Sequence, residues 1–378
     1  MLSDRNACII LNMISGIGYA RYAALVRRFG SPAAVLKASA AELAEVKGIG
    51  ENLAAAVSNW QNSIDLNAET DQANRAGVKI YTIEDGDYPE ILRQLPDPPL
   101  VLYVRGNLPE FGNNCVSIVG SRRLSAYGDR MARHFAAEAV LARWCVISGL
   151  AFGVDAAAHK ATLDAGGITV AVLGGGLARI HPQEHVPLAA AIVKNNGARI
   201  SEYPMNFPVS RQSFPRRNRI VAALAQATVV IEAGLDSGAL ITAKLALEQG
   251  KAVFAVPGRV DEPQAAGCNM LIRDCGAKLV TNFQDVLSDF EFLPGMNPPA
   301  APALSSAAIT PEPDNQTVQL FNTPEENIYN ELKINGPGTL DDLAVRTRMA
   351  PGLLSGTLMA MEIRDIVQKT PNGIYSLK

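Results

Sequence analysis

The chain has 378 residues, which exceeds a single domain of about 100 to 200 residues and predicts two or three folding units. Its composition, 48% hydrophobic and 19% charged, is ordinary for a globular protein. It contains no uncharged apolar run of about 18 residues, so we expect no membrane span. The net charge of −3 excludes a general attraction to nucleic acid, so a polyanion site must be a local basic patch.

The N-terminus and the cysteines predict a cytoplasmic protein. The opening segment, "MLSDRNACIILNMISGIG", lacks the basic stretch, long apolar stretch and small-residue cleavage site of a secretion signal. The cysteines are odd in number, scattered and without a C-x-x-C pair, which favours reduced, buried thiols over disulfides or zinc ligands. They are Cys8, Cys115, Cys145, Cys268 and Cys275. We predict no cofactor and no metal site.

Residues 1–70 contain an internal near-repeat. The stretches "MISGIGYARYAALVRRFG" (13–30) and "EVKGIGENLAAAVSNW" (45–60) each place Gly-Ile-Gly before a helix-like apolar pattern. The glycines permit a tight hairpin whose backbone N–H groups can face a phosphate. The pair resembles a helix-hairpin-helix (SAM-like) domain, a common module for non-specific contact with the DNA backbone. Such pairs also occur as packing units, so DNA contact by this domain stays open.

From about residue 78 the pattern changes to α/β. Short β-rich runs alternate with helix-length stretches, which predicts a Rossmann-like parallel sheet in a domain of residues 75–292. The runs are "VSIVG" (116–120), "CVISG" (145–149), "TVAVLGG" (169–175), "TVVIEA" (228–233) and "AVFAVPG" (252–258). Several runs end in glycine, and ligands bind at the carboxyl ends of such strands. We therefore expect the functional edge of the sheet at these glycines.

The turn after the first run is a candidate anion site. The sequence Gly120-Ser121-Arg122 lies between a strand and a helix, but it lacks the G-x-G-x-x-G spacing of a dinucleotide site. The turn can still receive one phosphate, with Ser121 as donor and Arg122 as a bidentate clamp. Ser237 and Gly238 would complete the pocket if their strand is a neighbour.

A basic segment follows at residues 203–231, where no acidic residue occurs. Its stretch "FPRRNRIVAALAQATVVIEA" (214–233) predicts a helix that begins near Arg219, with its positive dipole end beside the guanidinium groups. That arrangement is unfavourable unless an anion binds there. Phe207 and Phe214 stand among the arginines, as in sites where charge follows the phosphates of single-stranded nucleic acid and rings stack on its bases. The arginines are Arg211, Arg216, Arg217 and Arg219.

Histidines offer little catalytic chemistry in this sequence. Asp155 and His159 are spaced i to i+4, and we expect a helix-stabilising hydrogen bond between them. His181 and His185 lack thiolate or carboxylate partners at metal spacing, so we interpret them as structural.

The C-terminal part divides into a linker and a small domain. Residues 293–322 contain six prolines and little charge, which predicts an extended or disordered linker. Residues 323–378 show three helix patterns and a Gly-containing hairpin, which resembles a winged helix. The stretch "APGLLSGTLMAMEIRD", where the recognition helix would lie, has only Arg364 as a base, and the domain holds six Lys or Arg against seven Asp or Glu. Strong DNA binding by this domain is therefore not expected.

Five ordered motifs closely resemble the DNA-processing protein A family (DprA, also called Smf), over most of residues 75–290. They are "YPEILRQLPDPPLVLYVRG", "VSIVGSRRLSAYG", "ISGLAFGVDAAAHKATL", "SEYPMNFPVSRQSFPRRNRIVAAL" and "SGALITAKLALEQGKAVFAVPG". The resemblance implies an extended Rossmann fold that dimerises, binds single-stranded DNA arriving by natural transformation and loads the RecA recombinase onto it. It implies no catalytic residues and no membrane attachment.

By matching motif, the resemblance assigns Gly120, Ser121 and Arg122 to the DNA pocket. It assigns the second basic segment as well, and Arg211 is a weaker addition in a more variable stretch. The residues of that segment are Phe214, Arg216, Arg217, Asn218 and Arg219. We expect that replacing Arg122, or Arg216 and Arg217 together, weakens single-strand binding and leaves the fold intact, and that Arg219 is partly structural.

The alternative from another functional class is a nucleotide-processing enzyme. Cytokinin-activating phosphoribohydrolases have a related Rossmann-like fold with the motif Pro-Gly-Gly-x-Gly-Thr-x-x-Glu. The similarly placed stretch of this chain is "LDSGALITAKLALE" (235–248), which lacks that motif. The sequence therefore favours DNA binding over nucleotide hydrolysis.

Overall fold

A computed structural model describes residues 2–290, 323–347, 349, 351–363, 366–370 and 373–377. The chain divides into two compact units, Met1–Ala301 and Pro302–Lys378. In the described ranges, no helix has the length and apolar character needed to cross a membrane. The predicted linker, residues 293–322, lies outside the described residues.

The first unit begins with a group of short helices. Glycine precedes α2 and α5, because each Gly-Ile-Gly segment forms the turn that the sequence predicts. The Arg21 guanidinium links the two turns by donating to the carbonyl oxygens of Gly16 (2.6 Å) and Gly48 (3.0 Å). The helices are α1 (Asp4–Met13), α2 (Tyr19–Phe29), α3 (Pro32–Val35), α4 (Ala40–Ala44), α5 (Glu51–Ser58) and α6 (Leu66–Arg75), with a 3-10 turn at Trp60–Asn62.

A nine-stranded sheet follows, in the spatial order β1-β2-β6-β5-β4-β3-β7-β8-β9. The strands are β1 (Val78–Thr82), β2 (Val101–Gly106), β3 (Cys115–Val119), β4 (Cys145–Ser148), β5 (Thr169–Val172), β6 (Ala198–Ser201), β7 (Ala227–Val230), β8 (Ala252–Ala255) and β9 (Lys278–Leu279). Pairs β1–β2 and β2–β6 are antiparallel, and every other pair is parallel. The Rossmann-like prediction is confirmed, and the five predicted runs are β3, β4, β5, β7 and β8.

Helices cover both faces of the sheet. Side chains of α8, α9 and α14 pack on one face, and side chains of α11, α12 and α13 pack on the other. Parallel strands buried on both faces read as continuous apolar runs, which is why the sequence identified them. The helices after β1 are α7 (Glu90–Arg93), α8 (Ala126–Leu141), α9 (Val154–Asp164), α10 (Val186–Lys194), α11 (Ser213–Leu224), α12 (Gly238–Glu248), α13 (Ala266–Asp274) and α14 (Phe283–Leu287), with a 3-10 turn at Gln183–His185.

The cysteine prediction needs one correction. All five thiols are free, and four are buried in the cores. Cys275, however, is exposed, because it lies at the end of α13 where the helix leaves the sheet. Cys115 and Cys145 stand opposite each other on β3 and β4.

The N-terminal helices and the sheet share one hydrophobic core. Residues of α1, such as Ile10 and Leu11, belong to the same buried cluster as Tyr103 of β2 and Ala171 of β5. A buried polar link reinforces this packing, because the Glu69 carboxylate of α6 accepts from the backbone N–H of Met205 at 2.7 Å.

Within its described residues, the second unit contains three helices and a small antiparallel sheet of order β10-β12-β11. Ile328, Leu343 and Leu358 are fully buried in its core. The winged-helix assignment stays a prediction, and Arg364 lies outside the described residues. The elements are α15 (Thr323–Asn335), β10 (Gly338–Thr339), α16 (Leu340–Thr347), α17 (Pro351–Ile363), β11 (Val367–Lys369) and β12 (Ile374–Leu377).

The Glu69 link predicts a stability change. Replacing Glu69 with Ala leaves the buried N–H of Met205 without an acceptor, which costs about 1–3 kcal/mol. Urea denaturation should therefore show a loss of that size in the free energy of unfolding. The control is Asp71→Ala, an exposed acid on the same helix, whose effect should stay within about 0.5 kcal/mol. Equal losses in the two variants would contradict the link.

Candidate functional site

A cavity of about 890 Å³ lies at the carboxyl ends of the strands. It lies where the strand order reverses, because β3 pairs with β4 on one side and with β7 on the other. Ligands of open α/β sheets bind at such a reversal point. The adjacency of β3 and β7 brings the Gly120 turn and the Ser237 turn into the same cavity wall, as the sequence analysis required.

The Gly120 turn is held too tightly for any side chain. A Cβ at Gly120 would lie 2.5 Å from Cγ2 of Val154 and 2.8 Å from the carbonyl oxygen of Glu232. The Ser121 N–H donates to that same Glu232 oxygen at 2.6 Å. The turn therefore packs directly on the strand end of β7 and the start of α9.

One expectation for this turn changes. The Ser121 hydroxyl donates to the carbonyl oxygen of Arg123 at 2.7 Å and accepts from the Arg123 N–H at 3.1 Å. Its hydrogen is therefore used within the turn, because this local bond closes the loop before α8. Ser121 lines the cavity but is not the free donor that the sequence analysis expected.

Arg122 and Phe214 meet across the cavity. The Arg122 guanidinium carbon lies 5.0 Å from the centroid of the Phe214 ring, within cation–π distance. The His181 ring also lies near the Phe214 ring, with the two ring centroids 6.0 Å apart. Arg122 is exposed and has no ion-pair partner among the described residues. An accessible positive charge therefore stands beside an aromatic ring.

The helix that carries the basic segment starts earlier than predicted. Helix α11 begins at Ser213, not near Arg219, because Ser210 and Ser213 exchange hydrogen bonds that fix the first turn (3.0 and 3.1 Å). Arg216, Arg217 and Arg219 therefore lie inside the helix and point in different directions. The argument that all three face the dipole end is wrong, and the three arginines have separate environments.

Arg217 lies in the interior and is only 4% exposed. Its guanidinium donates to the carbonyl oxygen of Gly149 at 2.6 Å and to that of Val172, at the ends of β4 and β5. Burial lowers its pKa to about 10, and the charge of Asp155 opposes that shift. Arg217 forms part of the cavity wall, but its hydrogen-bonding groups hold strand ends together. Its replacement is therefore not expected to leave the fold intact, which corrects the sequence-based expectation.

Arg219 forms a buried, bidentate ion pair. Its two Nη atoms donate to the two carboxylate oxygens of Glu202 at 2.7 and 2.8 Å, and its Nε donates to the carbonyl oxygen of Asp97 at 2.9 Å. Burial alone lowers the pKa of Arg219, but Glu202 outweighs it and the pKa is raised. The ion pair agrees with the expected structural role of Arg219, and its assignment to the DNA-binding residues stays a prediction.

The remaining predicted residues differ in whether they line the cavity. Arg211, Asn218, Ser237 and Gly238 line the cavity, and Asn218 reaches the carbonyl oxygen of Gly238 at 3.4 Å. Arg216 does not line it; its exposed side chain lies 3.7 Å from the Glu202 carboxylate.

Sequence reasoning missed other lining residues, notably Arg123 and Asp236. The second arginine of the Gly-Ser-Arg-Arg turn was the available signal for Arg123. Asp236 gave no such signal, because a single acid in a loop is common.

The acid–histidine prediction is also wrong. The Asp155 carboxylate accepts from the N–H groups of Gly149 (3.1 Å) and Ala151 (3.3 Å), so it caps the β4–α9 turn. Burial raises its pKa, although Arg217 opposes the shift. His159 instead contacts the Thr169 hydroxyl through Nδ1 at 2.7 Å, and burial lowers its pKa to about 3. His185 contacts the Leu150 carbonyl at 2.9 Å, which agrees with a structural role.

Comparison with known families identifies the chain. A family model described as DNA recombination-mediator protein A matches residues 79–291, which span the sheet and the cavity. The chain belongs to this family. A second model, the SAM-like helix-hairpin-helix tandem, matches residues 9–57 and agrees with the two Gly-Ile-Gly turns.

Known relatives support the assignment. Protein Smf of Escherichia coli K12 is 37% identical over 77% of this chain and 75% of its own length. Protein Smf of Synechocystis sp. PCC 6803 is 31% identical over 99% of this chain and 98% of its own length. The X-ray structure of DNA processing protein A from Streptococcus pneumoniae superimposes with a TM-score of 0.65 at 32% identity, covering 76% of this chain and 99% of that one.

The Arg219–Glu202 pair predicts a large stability effect. Arg219→Ala leaves the buried Glu202 carboxylate without its bidentate partner. This loss should lower the free energy of unfolding by about 3–5 kcal/mol. Arg216→Ala is the matched control, because its exposed contact to the same carboxylate should contribute only about 0–1 kcal/mol. Urea denaturation measures both. Similar losses of unfolding free energy in the two variants would contradict a large stabilising contribution from the bidentate pair.

Burial of His159 predicts acid sensitivity. Its pKa is about 3 in the folded chain and 6.5 when unperturbed, so the unfolded chain binds a proton first as the pH falls. The free energy of unfolding should decrease below about pH 6.5, with a contribution approaching 1.4 kcal/mol per pH unit. His159→Leu should flatten this slope by about one proton between pH 6 and 4. An unchanged slope in denaturation curves would contradict the assignment.

Proposed function

We propose that the protein is a recombination mediator that binds single-stranded DNA in the cavity at the β3–β7 reversal point. The observation that carries the proposal is the exposed Arg122 guanidinium over the Phe214 ring. Family membership supports it, because the family is described as a recombination mediator. The relative from Streptococcus pneumoniae bears the name DNA processing protein.

The charge of the cavity rim favours a polyanion. Arg122, Arg123 and Arg211 are exposed along its wall, and Asp236 is the exposed acid there. Asp155, the other acid of the wall, is buried and engaged by two backbone N–H groups. Arg217 contributes a buried positive charge behind the surface. Phosphates near the rim would release counterions from the DNA, so binding should weaken as salt increases.

The aromatic ring favours an unpaired strand over a duplex. A base of single-stranded DNA is free to stack on a ring such as Phe214, whereas a base within a duplex is already stacked on its neighbours. Stacking tolerates every base, so we expect little sequence preference. Arg122 would then clamp the phosphate beside the stacked base, because guanidinium and phosphate pair in a bidentate geometry.

We further propose the biological role implied by the motif resemblance. The protein would act in the cytoplasm as a homodimer through its Rossmann-like domain, protect DNA that enters by natural transformation and load RecA onto it. It would work by binding and not by catalysis. Support for this finer role comes from the family description and from the resemblance, and the cavity is the site that we propose for its DNA-binding step.

The proposal predicts a selective loss of DNA binding. Arg122→Ala should weaken binding of a labelled oligo-dT by about 1–3 kcal/mol, and Phe214→Leu should weaken it by a similar amount because the base loses its stacking partner. Arg122→Ala should also reduce the salt slope by about 0.7 for each phosphate that the arginine neutralises in the wild type. Fluorescence anisotropy at about 50 and 200 mM salt measures both quantities.

Arg133→Ala is the matched control for this experiment. Arg133 is a half-exposed arginine on α8 that pairs with Asp129 at 2.8 Å and does not line the cavity. It should bind DNA as the wild type does. If Arg122→Ala also binds normally, the DNA site lies elsewhere in the chain. If no variant, wild type included, binds DNA, release of free base from nucleoside monophosphates would be the next assay, and it would favour the enzyme alternative.

A further inference from the structure

Two arginines face each other on a part of the sheet that the DNA cavity does not use. Arg105 of β2 and Arg199 of β6 are direct partners in the antiparallel ladder. Neither residue lines the cavity at the β3–β7 reversal point. Like charges directly opposite on neighbouring strands are destabilising, so this pairing needs a physical reason.

Arg199 is buried without a partner. Arg199 is 5% exposed, and its Nε atom has no hydrogen-bond acceptor. In the described part of the chain, the Arg199 side chain makes no hydrogen bond and no ion pair. Arg105, by contrast, is exposed at the surface beside it. The two side chains therefore form one positive site with a buried floor and an accessible rim.

The surroundings offer no internal compensation among the residues that the structure describes. Arg199 pairs along the ladder with Ala171 of β5, and α10 packs on β6 and β2 through apolar side chains such as Leu188 and Ile192. Burial, reinforced by the like charge of Arg105, lowers the pKa of Arg199 to about 10. The guanidinium remains protonated at neutral pH, so the chain maintains a largely buried charge whose Nε atom has no partner. Such a charge is costly unless an anion neutralises it.

We propose that Arg105 and Arg199 bind a phosphate group. A phosphate monoester has three terminal oxygens, which suits two guanidinium forks, and its charge of nearly −2 at neutral pH balances both arginines. In this arrangement the phosphate would meet Arg199 on its inner side, and Arg105 at the rim would meet whatever the phosphate is attached to. Free phosphate and the terminal phosphate of a DNA strand share this chemistry.

Calorimetric titration of inorganic phosphate into the full chain tests the site, in chloride buffer of matched ionic strength. Wild-type protein should bind phosphate, and Arg105→Ala should weaken the binding roughly tenfold or more, since one charge-assisted clamp is removed. Arg199→Met should abolish it. Arg133→Ala is the matched control, because it removes an arginine that pairs with Asp129 and does not line the DNA cavity, so the phosphate affinity of the Arg105–Arg199 site should stay unchanged.

A thermal scan gives an independent readout. Phosphate should raise the melting temperature of the wild type above its value in chloride, because a ligand of the folded state stabilises it. Arg199→Met should lose this response without losing stability in chloride, since an apolar side chain replaces an uncompensated charge. If Arg199→Met does not fold, the exposed Arg105→Ala still decides the result. Absence of phosphate binding, or equal binding by wild type and Arg105→Ala, overturns the proposal.

The source of the phosphate is decided with oligo-dT that carries either a 5′-phosphate or a 5′-hydroxyl. If a DNA end is the ligand, the 5′-phosphate should tighten binding to the wild type and to Arg133→Ala but not to Arg105→Ala. If free phosphate is the ligand, both oligonucleotides should bind alike while the calorimetric signal still depends on Arg105. Failure of oligo-dT to bind at all would overturn the proposed DNA function and leave the phosphate site intact.

Discussion

The buried guanidinium of Arg217 fixes the arrangement on which the cavity depends. It donates to carbonyl oxygens at the ends of β4 and β5, so it holds the start of α11 against the carboxyl edge of the sheet. A side chain at Gly149 would collide with this guanidinium, which explains glycine at that strand end. Because Arg217 fixes α11, Phe214, three residues earlier in that helix, contacts Arg122 in the turn between β3 and α8.

The basic segment thus separates structural charge from accessible charge. Glu202 neutralises Arg219 in the interior, and Arg217 is satisfied by backbone oxygens. The accessible positive charge of the cavity comes from Arg122, Arg123 and Arg211. This division matters for function, because a guanidinium already bound to carboxylate or carbonyl oxygens has few donors left for a phosphate. Arginine density along the sequence therefore overstates the number of phosphates that the protein can bind.

Much of the fold, but only part of the site, could be read from the sequence. Buried parallel strands are continuous apolar runs, so β3, β4, β5, β7 and β8 were recognisable, whereas β6 was not, because Arg199 interrupts its apolar run. Glycine at position 120 marked the turn correctly. The partners of Arg217 and Asp155 were invisible, because they are backbone atoms brought close by the sheet. The start of α11 was misplaced because a serine pair, not the arginines, sets its first turn.

Two buried arginines, Arg217 of α11 and Arg199 of β6, illustrate opposite solutions to one energetic problem. Arg217 and Arg199 are exposed to nearly the same small extent, and burial lowers the pKa of each to about 10. Around Arg217 the chain supplies carbonyl oxygens and the charge of Asp155; around Arg199 the described residues supply a second arginine instead. The environment of Arg217 shows that this fold can neutralise a buried guanidinium with its own groups. The pairing of Arg199 with Arg105 is therefore best explained by an anion that arrives from outside the chain.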